Sequence, residues 1–363
     1  MPRLFRLFAV VALLLTSVAH GRDIKFEVTI APEMDDLFQR TNGWIGADGA
    51  YSIPLSKNKS VWLFSDTFVG KVEEGRRVNA KMINNTVAIQ EHGKTPEFYY
   101  PTNAKGEAES FIKPNDGRGF FWLFHGTRNQ DGLFFSLRHV EIVDHSSVFG
   151  FRGFGNSMAR VRNPDDHPSK WKVEQLKFPY DKRDEGEIIY ASAVMKDKGY
   201  VYIYGNKVSP DKKERGLVVA RVPEKKFGAF DEWRFYANGK WQKDWEAVTY
   251  ICPDAPAEAG VAYWPALKKY VFIYTPGIWG KIVMRTADNP VGPWSEPIPL
   301  YEAPEMKYPA KVFAYAGKCH PQISVRKDEL IVSYAANSFD FHEIIRDARL
   351  YWPRFVRVKM VKE

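Results

Sequence analysis

Two aspartates, Asp48 and Asp66, are the residues of this sequence best spaced to do chemistry together. They stand in Trp44-Ile-Gly-Ala-Asp48-Gly-Ala-Tyr-Ser52 and Phe64-Ser-Asp66-Thr67. Between them run an apolar stretch from Ala50 to Leu55, a short turn over Ser56–Ser60 and a second apolar stretch, Val61–Phe64. That pattern reads as one β-hairpin with both carboxyl groups at its open end. A close pair of carboxyls, one giving a proton and one acting as base or nucleophile, is what cleavage of a glycosidic bond requires. A third carboxylate can hold their proton affinities apart, and Glu187 in Asp184-Glu-Gly-Glu187 is expected to face them. Asp66, directly after an apolar run, is expected to be the acid. Asp48, among glycines, suits the base or nucleophile. The competing reading makes Asp48-Gly49 a plain turn, Asp66 a loop cap and Glu187 part of a solvated acidic loop.

Positioning these groups is the task of a β-rich chain. Aromatics make up 15% of it, prolines and glycines are abundant, and long amphipathic helical patterns are nearly absent. Five apolar-aromatic runs recur: Val61–Phe64, Phe120–Phe124, Tyr200–Tyr204, Tyr270–Tyr274 and Leu330–Tyr334, at spacings of 59, 80, 70 and 60 residues. Each follows another strand-like run and a short turn. A hairpin repeated at this period predicts an all-β, five-bladed β-propeller over residues 22–363, with the aromatic run as the second strand of each blade. The last strand, around Phe355–Met360, is expected to pair with a blade formed mainly by the N-terminus and so close the ring.

In such a ring, residues before the first strand and after the second strand of every blade meet at one end of the axis. The polar groups placed there are Glu107, Glu109 and His125 in the second blade, Glu185, Glu187 and Asn206 in the third, Glu246 in the fourth, and His320 with Asn337 in the fifth. Trp44, His125, Glu246 and His320 are the expected substrate-binding residues, with Trp44 as a platform for a sugar ring. Trp62, Trp245, Trp264 and Trp279 are further candidates for stacking. Each of these has a bland alternative as core or structural residue.

The N-terminus reads as a secretory signal over residues 1–21: basic Arg3 and Arg6, an apolar run Leu7–Leu15, and small residues Ala19 and Gly21 at a cleavage site. The apolar run is well short of the ~20 residues that span a bilayer, so the mature chain is expected outside the cytoplasm, secreted or periplasmic, without a membrane span. Removing Arg3 and Arg6 lowers the formal charge from +8 to +6. The basic residues are interleaved with acids, which argues against a nucleic-acid partner. Cys252 and Cys319 could pair in an exported chain, but sequence alone does not bring them together, and neither belongs to a metal-spaced cluster.

The first-blade motif, Gly43-Trp-Ile-Gly-Ala-Asp48-Gly-Ala-Tyr-Ser52 followed by Trp62-Leu-Phe-Ser-Asp66-Thr-Phe68, resembles the opening of an exported bacterial family. That family was long catalogued as a domain of unknown function and includes endo-D-arabinanases. Asn84-Asn-Thr-Val-Ala-Ile-Gln90, Arg285–Trp294 and His320-Pro-Gln-Ile-Ser324 extend the resemblance over most of the chain. It implies a five-bladed propeller, glycoside hydrolysis, an arabinan among the candidate polysaccharides, and Asp48 with Asp66 as the catalytic pair. It also implies a place for His320 near a central ion, where the imidazole and waters would hold a Ca²⁺-like cation. The second blade departs from the family, with Trp122-Leu-Phe-His125-Gly where a Trp-Pro-Gly-Asp-like stretch is expected. A second function class remains: a non-catalytic carbohydrate-binding propeller, which needs the aromatics but not two close carboxyls.

Overall fold

The computed structural model describes residues 13–16, 24–181, 187–308 and 311–361. Most of the predicted signal segment, including Ala19 and Gly21, and Glu185 lie outside the described residues. No described helix is long and apolar enough to cross a membrane.

The chain is all-β, built of antiparallel sheets in which most neighbouring strands are consecutive in the chain. Five of them follow in chain order. Their first two strands are Tyr51–Ser56 with Lys59–Phe64, Phe120–Asn129 with Gly132–Ile142, Glu187–Asp197 with Tyr200–Val208, Gly260–Trp264 with Lys269–Tyr274, and Val312–Cys319 with Glu329–Ser338. The first strand of each sheet packs on the first strand of the next. The fifth reaches back to the first through His320 and Ser52, whose Nδ1 and Oγ lie 2.6 Å apart. Because each sheet is covered on both faces, its second strand is buried along nearly its whole length. Tyr200–Val208, for example, exposes almost nothing, so these strands read as continuous apolar runs rather than alternating ones.

Four of the five aromatic runs are second strands, as expected. Phe120–Phe124 is instead the start of a first strand, Phe120–Asn129. The run before it, Glu109–Lys113, forms no strand. Phe111 and Ile112 are held by Asn85: its backbone carbonyl takes the Phe111 N–H at 3.0 Å and its side chain takes the Ile112 N–H at 2.8 Å. Prolines 101 and 114 and glycines 106, 117 and 119 break that segment into turns. Apolar content there records burial, not strand.

The closure also differs from expectation. The C-terminal strand Pro353–Val361 does pair with an N-terminal strand, Lys25–Ile30, but the sheet they share is the fifth, where Pro353–Val361 lies between Glu329–Ser338 and Lys25–Ile30. The N-terminus therefore adds an outer strand to the C-terminal sheet. The helix Pro32–Phe38 then seats Phe38 against Trp62 of the first sheet and Phe355 of the fifth, with ring centroids 4.8 and 5.0 Å apart.

A small extra sheet carries the site. Asn42–Ala47 and Thr67–Glu73 pair with each other, and Arg76–Ile83 adds a third strand. The first hairpin thus has two storeys. Its inner part, Tyr51–Ser56 with Lys59–Phe64, belongs to the first sheet. Its outer part peels away into the small sheet, and the joint falls at residues 48–50 and 65–66.

Candidate active site

Asp48 and Asp66 sit opposite each other at that joint. The Asp48 N–H donates to the Asp66 carbonyl at 3.3 Å, and the Ser65 N–H donates to the Asp48 carbonyl at 3.1 Å. Two glycines make the joint possible. Gly46 has φ +134°, and a Cβ there would lie 2.4 Å from the Tyr351 carbonyl oxygen. Gly49 has φ +81°, with Ser65 N at 3.0 Å from the corresponding point. Both backbones must be free of side chains for the two strands and Tyr351 to approach.

The two carboxyls lie on the floor of a cavity of about 700 Å³, which also takes in Ser65, Asn84, Glu258, Tyr315, Asn337 and Tyr351. The Tyr315 hydroxyl donates to Asp48 Oδ2 at 2.6 Å, and Asn84 Nδ2 donates to Asp66 Oδ1 at 3.1 Å. Asp48 Oδ1 is buried with no hydrogen-bond partner. Such an orphan oxygen is far less costly on a neutral carboxyl than on a carboxylate. The proton affinities agree. Burial raises Asp48 well above the usual carboxylate range, and the charges of Asp66 and Glu258 raise it further against the opposing Tyr315 hydrogen bond and Lys318 ammonium. Burial raises Asp66 too, but less. Asn84 opposes it, as does the buried indole N–H of Trp122, which lies beside Asp66 without a formed hydrogen bond. Of the pair, Asp48 holds its proton more tightly, the reverse of the order expected from the neighbouring sequence. The reason is tertiary: at Asp48 the charges of Asp66 and Glu258 add to burial and outweigh the Tyr315 donor, whereas at Asp66 donors act against burial.

The third carboxylate at the floor is Glu258, not Glu187. Glu258 accepts from Lys318 Nζ at 2.8 Å. Lys318 is almost wholly buried, also donates to the Gly49 carbonyl, and lies 4.4 Å from the Tyr51 ring centroid. Sequence reasoning missed both residues, although Glu258 stands two positions before a first strand, where a carboxylate was being sought. Lys318 was signalled only as a lysine inside an otherwise apolar strand.

Most of the remaining expected site residues are elsewhere. Glu187 pairs with Arg138 of the second sheet. Glu246 is exposed on a turn capped by Asp244. Trp44 is core: its Nε1 donates to Thr86 Oγ1 at 3.1 Å and its ring stacks on Phe98 at 4.2 Å. Asn337 does line the cavity. His125 lies mid-strand and part-buried, stacked on Tyr51 at 5.3 Å. Its Nδ1 accepts from the Val194 N–H at 2.9 Å, which leaves the Nε2 proton to face the Ser52 carbonyl at 3.3 Å. Burial pushes its pKa down to about 4.

His320 is buried with both ring nitrogens engaged, Nδ1 by Ser52 Oγ and Nε2 by Ser333 Oγ at 2.7 Å. Gln322 Nε2 donates to the same Ser52 Oγ at 2.5 Å. An imidazole tied down in this way offers no lone pair to a cation. Among the described residues no group of three or more His, Cys, Asp or Glu could hold a metal ion. The expected calcium site therefore does not fit these residues. Cys252 and Cys319 are buried, unpaired thiols.

The model of a family described as a domain of unknown function, DUF5005, matches residues 32–360. The chain belongs to this family. No curated protein matches it in sequence. Among solved structures, this DUF5005 chain is similar to a provisionally named hydrolase from Bacteroides ovatus ATCC 8483, with a TM-score of 0.73 at 19% identity over 92% of this chain and 90% of that one. That likeness establishes a shared fold. Weaker likenesses reach an RS223 β-xylosidase (TM-score 0.49, 14% identity, 89% and 95% covered) and an endo-arabinase from Bacteroides thetaiotaomicron VPI-5482 (0.48, 10%, 89% and 98%).

Proposed function

We propose that this DUF5005 chain is a five-bladed β-propeller that hydrolyses glycosidic bonds in its central cavity. The observation that carries the reading is the buried pair Asp48 and Asp66, both raised in pKa by burial yet held apart by different partners. Protonated Asp48 gives its proton to the glycosidic oxygen as the bond breaks. Ionised Asp66 acts on the anomeric carbon, directly or by taking a proton from a water. Glu258, fixed by Lys318, helps keep Asp48 protonated at neutral pH. An arabinan is the first substrate to try, since the first-blade motif resembles a family that includes endo-D-arabinanases. The basic and apolar N-terminus supports export of the chain with removal of residues 1–21, which N-terminal sequencing of the secreted protein tests.

The deciding experiment incubates the protein with a polysaccharide panel that includes D- and L-arabinans and analyses the products. New reducing ends that disappear in Asp48→Asn and Asp66→Asn are expected. Binding without cleavage by either form indicates a carbohydrate-binding propeller instead. An aryl glycoside with a good leaving group needs little protonation, so it should restore turnover to Asp48→Asn more than to Asp66→Asn.

A further inference from the structure

The walls of the cavity differ from its floor. Polar side chains concentrate at the bottom, around Asp48, Asp66, Glu258 and Asn84. Above them runs an unbroken file of aromatic rings. Trp122, beside Asp66, meets Phe151 at 4.7 Å between centroids. Phe151 meets Phe149 at 6.3 Å, and Phe149 meets Phe313 at 5.5 Å and Phe339 at 5.7 Å. Phe313 in turn touches Tyr315, the partner of Asp48, at 5.4 Å. The file therefore begins at both carboxyls and ends at the surface, where Phe149 is 46% and Phe339 39% exposed. Ile142 and Ile278 continue the apolar lining, and Ile142 is also exposed.

The polar groups of the upper wall, Asp144, His145 and Ser147, belong to one turn, and Asp144 and Ser147 are engaged within it. Asp144 Oδ1 accepts from the Ser146 N–H and hydroxyl at 2.8 and 2.6 Å, and Ser147 Oγ accepts from the Phe149 N–H at 3.2 Å. A sugar chain lying along this wall would bury hydroxyls that find few partners, which is costly. An apolar chain would bury only carbon against carbon. Clustered exposed apolar residues at a cavity mouth mark a binding surface rather than ordinary surface scatter.

We propose that the substrate is a glycoside carrying a long alkyl or acyl chain, with its sugar on the polar floor and its chain along the aromatic file. This deepens the hydrolase reading and rests on it for the orientation of the sugar. The occupant is a flexible chain rather than a single ring because the apolar path is continuous from the carboxyls to the surface.

The test is calorimetric titration of the intact protein with hexyl, octyl and decyl glucosides below their micelle concentrations, beside an unsubstituted glucan oligosaccharide series. Affinity should rise about 3- to 4-fold per added methylene, the factor that corresponds to ~0.8 kcal/mol per buried CH₂. The double variant Phe149→Ser, Phe151→Ser should lose at least tenfold in decyl glucoside affinity, whereas Phe149→Leu should keep the chain-length slope. Melting curves check that each variant is folded. Equal affinity across the alkyl series, or the same slope in the folded double variant, overturns the proposal. Tightening with each added sugar instead of each methylene overturns it as well. Binding is read without turnover, so the two readings fail separately. A chain-length slope with no cleavage of any glycoside removes the hydrolase reading and keeps the alkyl-chain site as a binding site. Cleavage of plain polysaccharide without a slope removes this proposal alone.

Discussion

Two buried polar clusters lie among the same sheets, and they are wired in opposite ways. Around Ser52, the residues His125, His320 and Gln322 satisfy one another, and both nitrogens of each imidazole have partners. Around Asp48 and Asp66, one carboxyl oxygen and a neighbouring indole N–H are left without partners, and three acidic side chains crowd one floor. Buried polar groups in folded proteins are nearly always paired. The first cluster obeys that rule and fastens the first sheet to its neighbours. The second breaks it where a cavity opens, which is how a site for chemistry differs from a site for architecture. Histidines looked as functional as aspartates in the sequence; their partners separate the two.

The largest effect expected from this contrast is catalytic. Asp48→Asn and Asp66→Asn should each lower turnover on a cleaved substrate about 10²- to 10⁴-fold and leave the fold intact. His320→Asn should leave turnover per folded molecule within a few-fold. Near-normal turnover in both aspartate variants would dissolve the distinction between the clusters.

Lys318→Met comes next. It strips the cation from Glu258 in a buried pair, and breaking such a pair costs about 3–5 kcal/mol. Denaturant unfolding should register that loss. Glu258→Gln in the same background should recover part of it, because the stranded charge is gone.

His320→Ala should cost about 1–3 kcal/mol through the serine hydroxyls it strands, again by denaturant unfolding. A loss no greater than that of an exposed surface substitution would show that the cluster does not fasten the sheets.

The remaining contrast is in pH dependence, where the two clusters should pull in opposite directions. Folding raises the Asp48 pKa, so the folded state binds the extra proton. The stability this provides is present at low pH and is lost as pH rises from about 4 through the raised value. Asp48→Asn should therefore stabilise the protein most at alkaline pH. His125 is lowered to about 4 from 6.5, so its contribution is present above 6.5 and is lost as pH falls to about 4. His125→Gln should flatten that acid loss. Melting temperatures measured from pH 4 to 9 on both variants check the two signs.

The sequence alone was enough for the all-β class and for the hairpin that carries Asp48 and Asp66, because both depend on short-range pattern. Alternating and continuous apolar runs, a short turn, and glycines beside Asp48 leave few other local conformations. Four of the five aromatic second strands were legible for the same reason. Phe120–Phe124 was misplaced because an apolar run reports burial, and burial before it came from Asn85 holding a loop rather than from a strand. Tertiary structure alone decided which distant groups meet. Glu258 and Lys318 reach Asp48 across three sheets, Glu187 turns to Arg138, and His320 is closed off by serines 268 and 13 residues away in sequence. No local pattern encodes those meetings. The packing of each sheet on the next brings Glu187 to Arg138, and the approach of the fourth and fifth sheets to the first brings Glu258 and Lys318 to Asp48, which makes it, rather than Asp66, the carboxyl that keeps its proton.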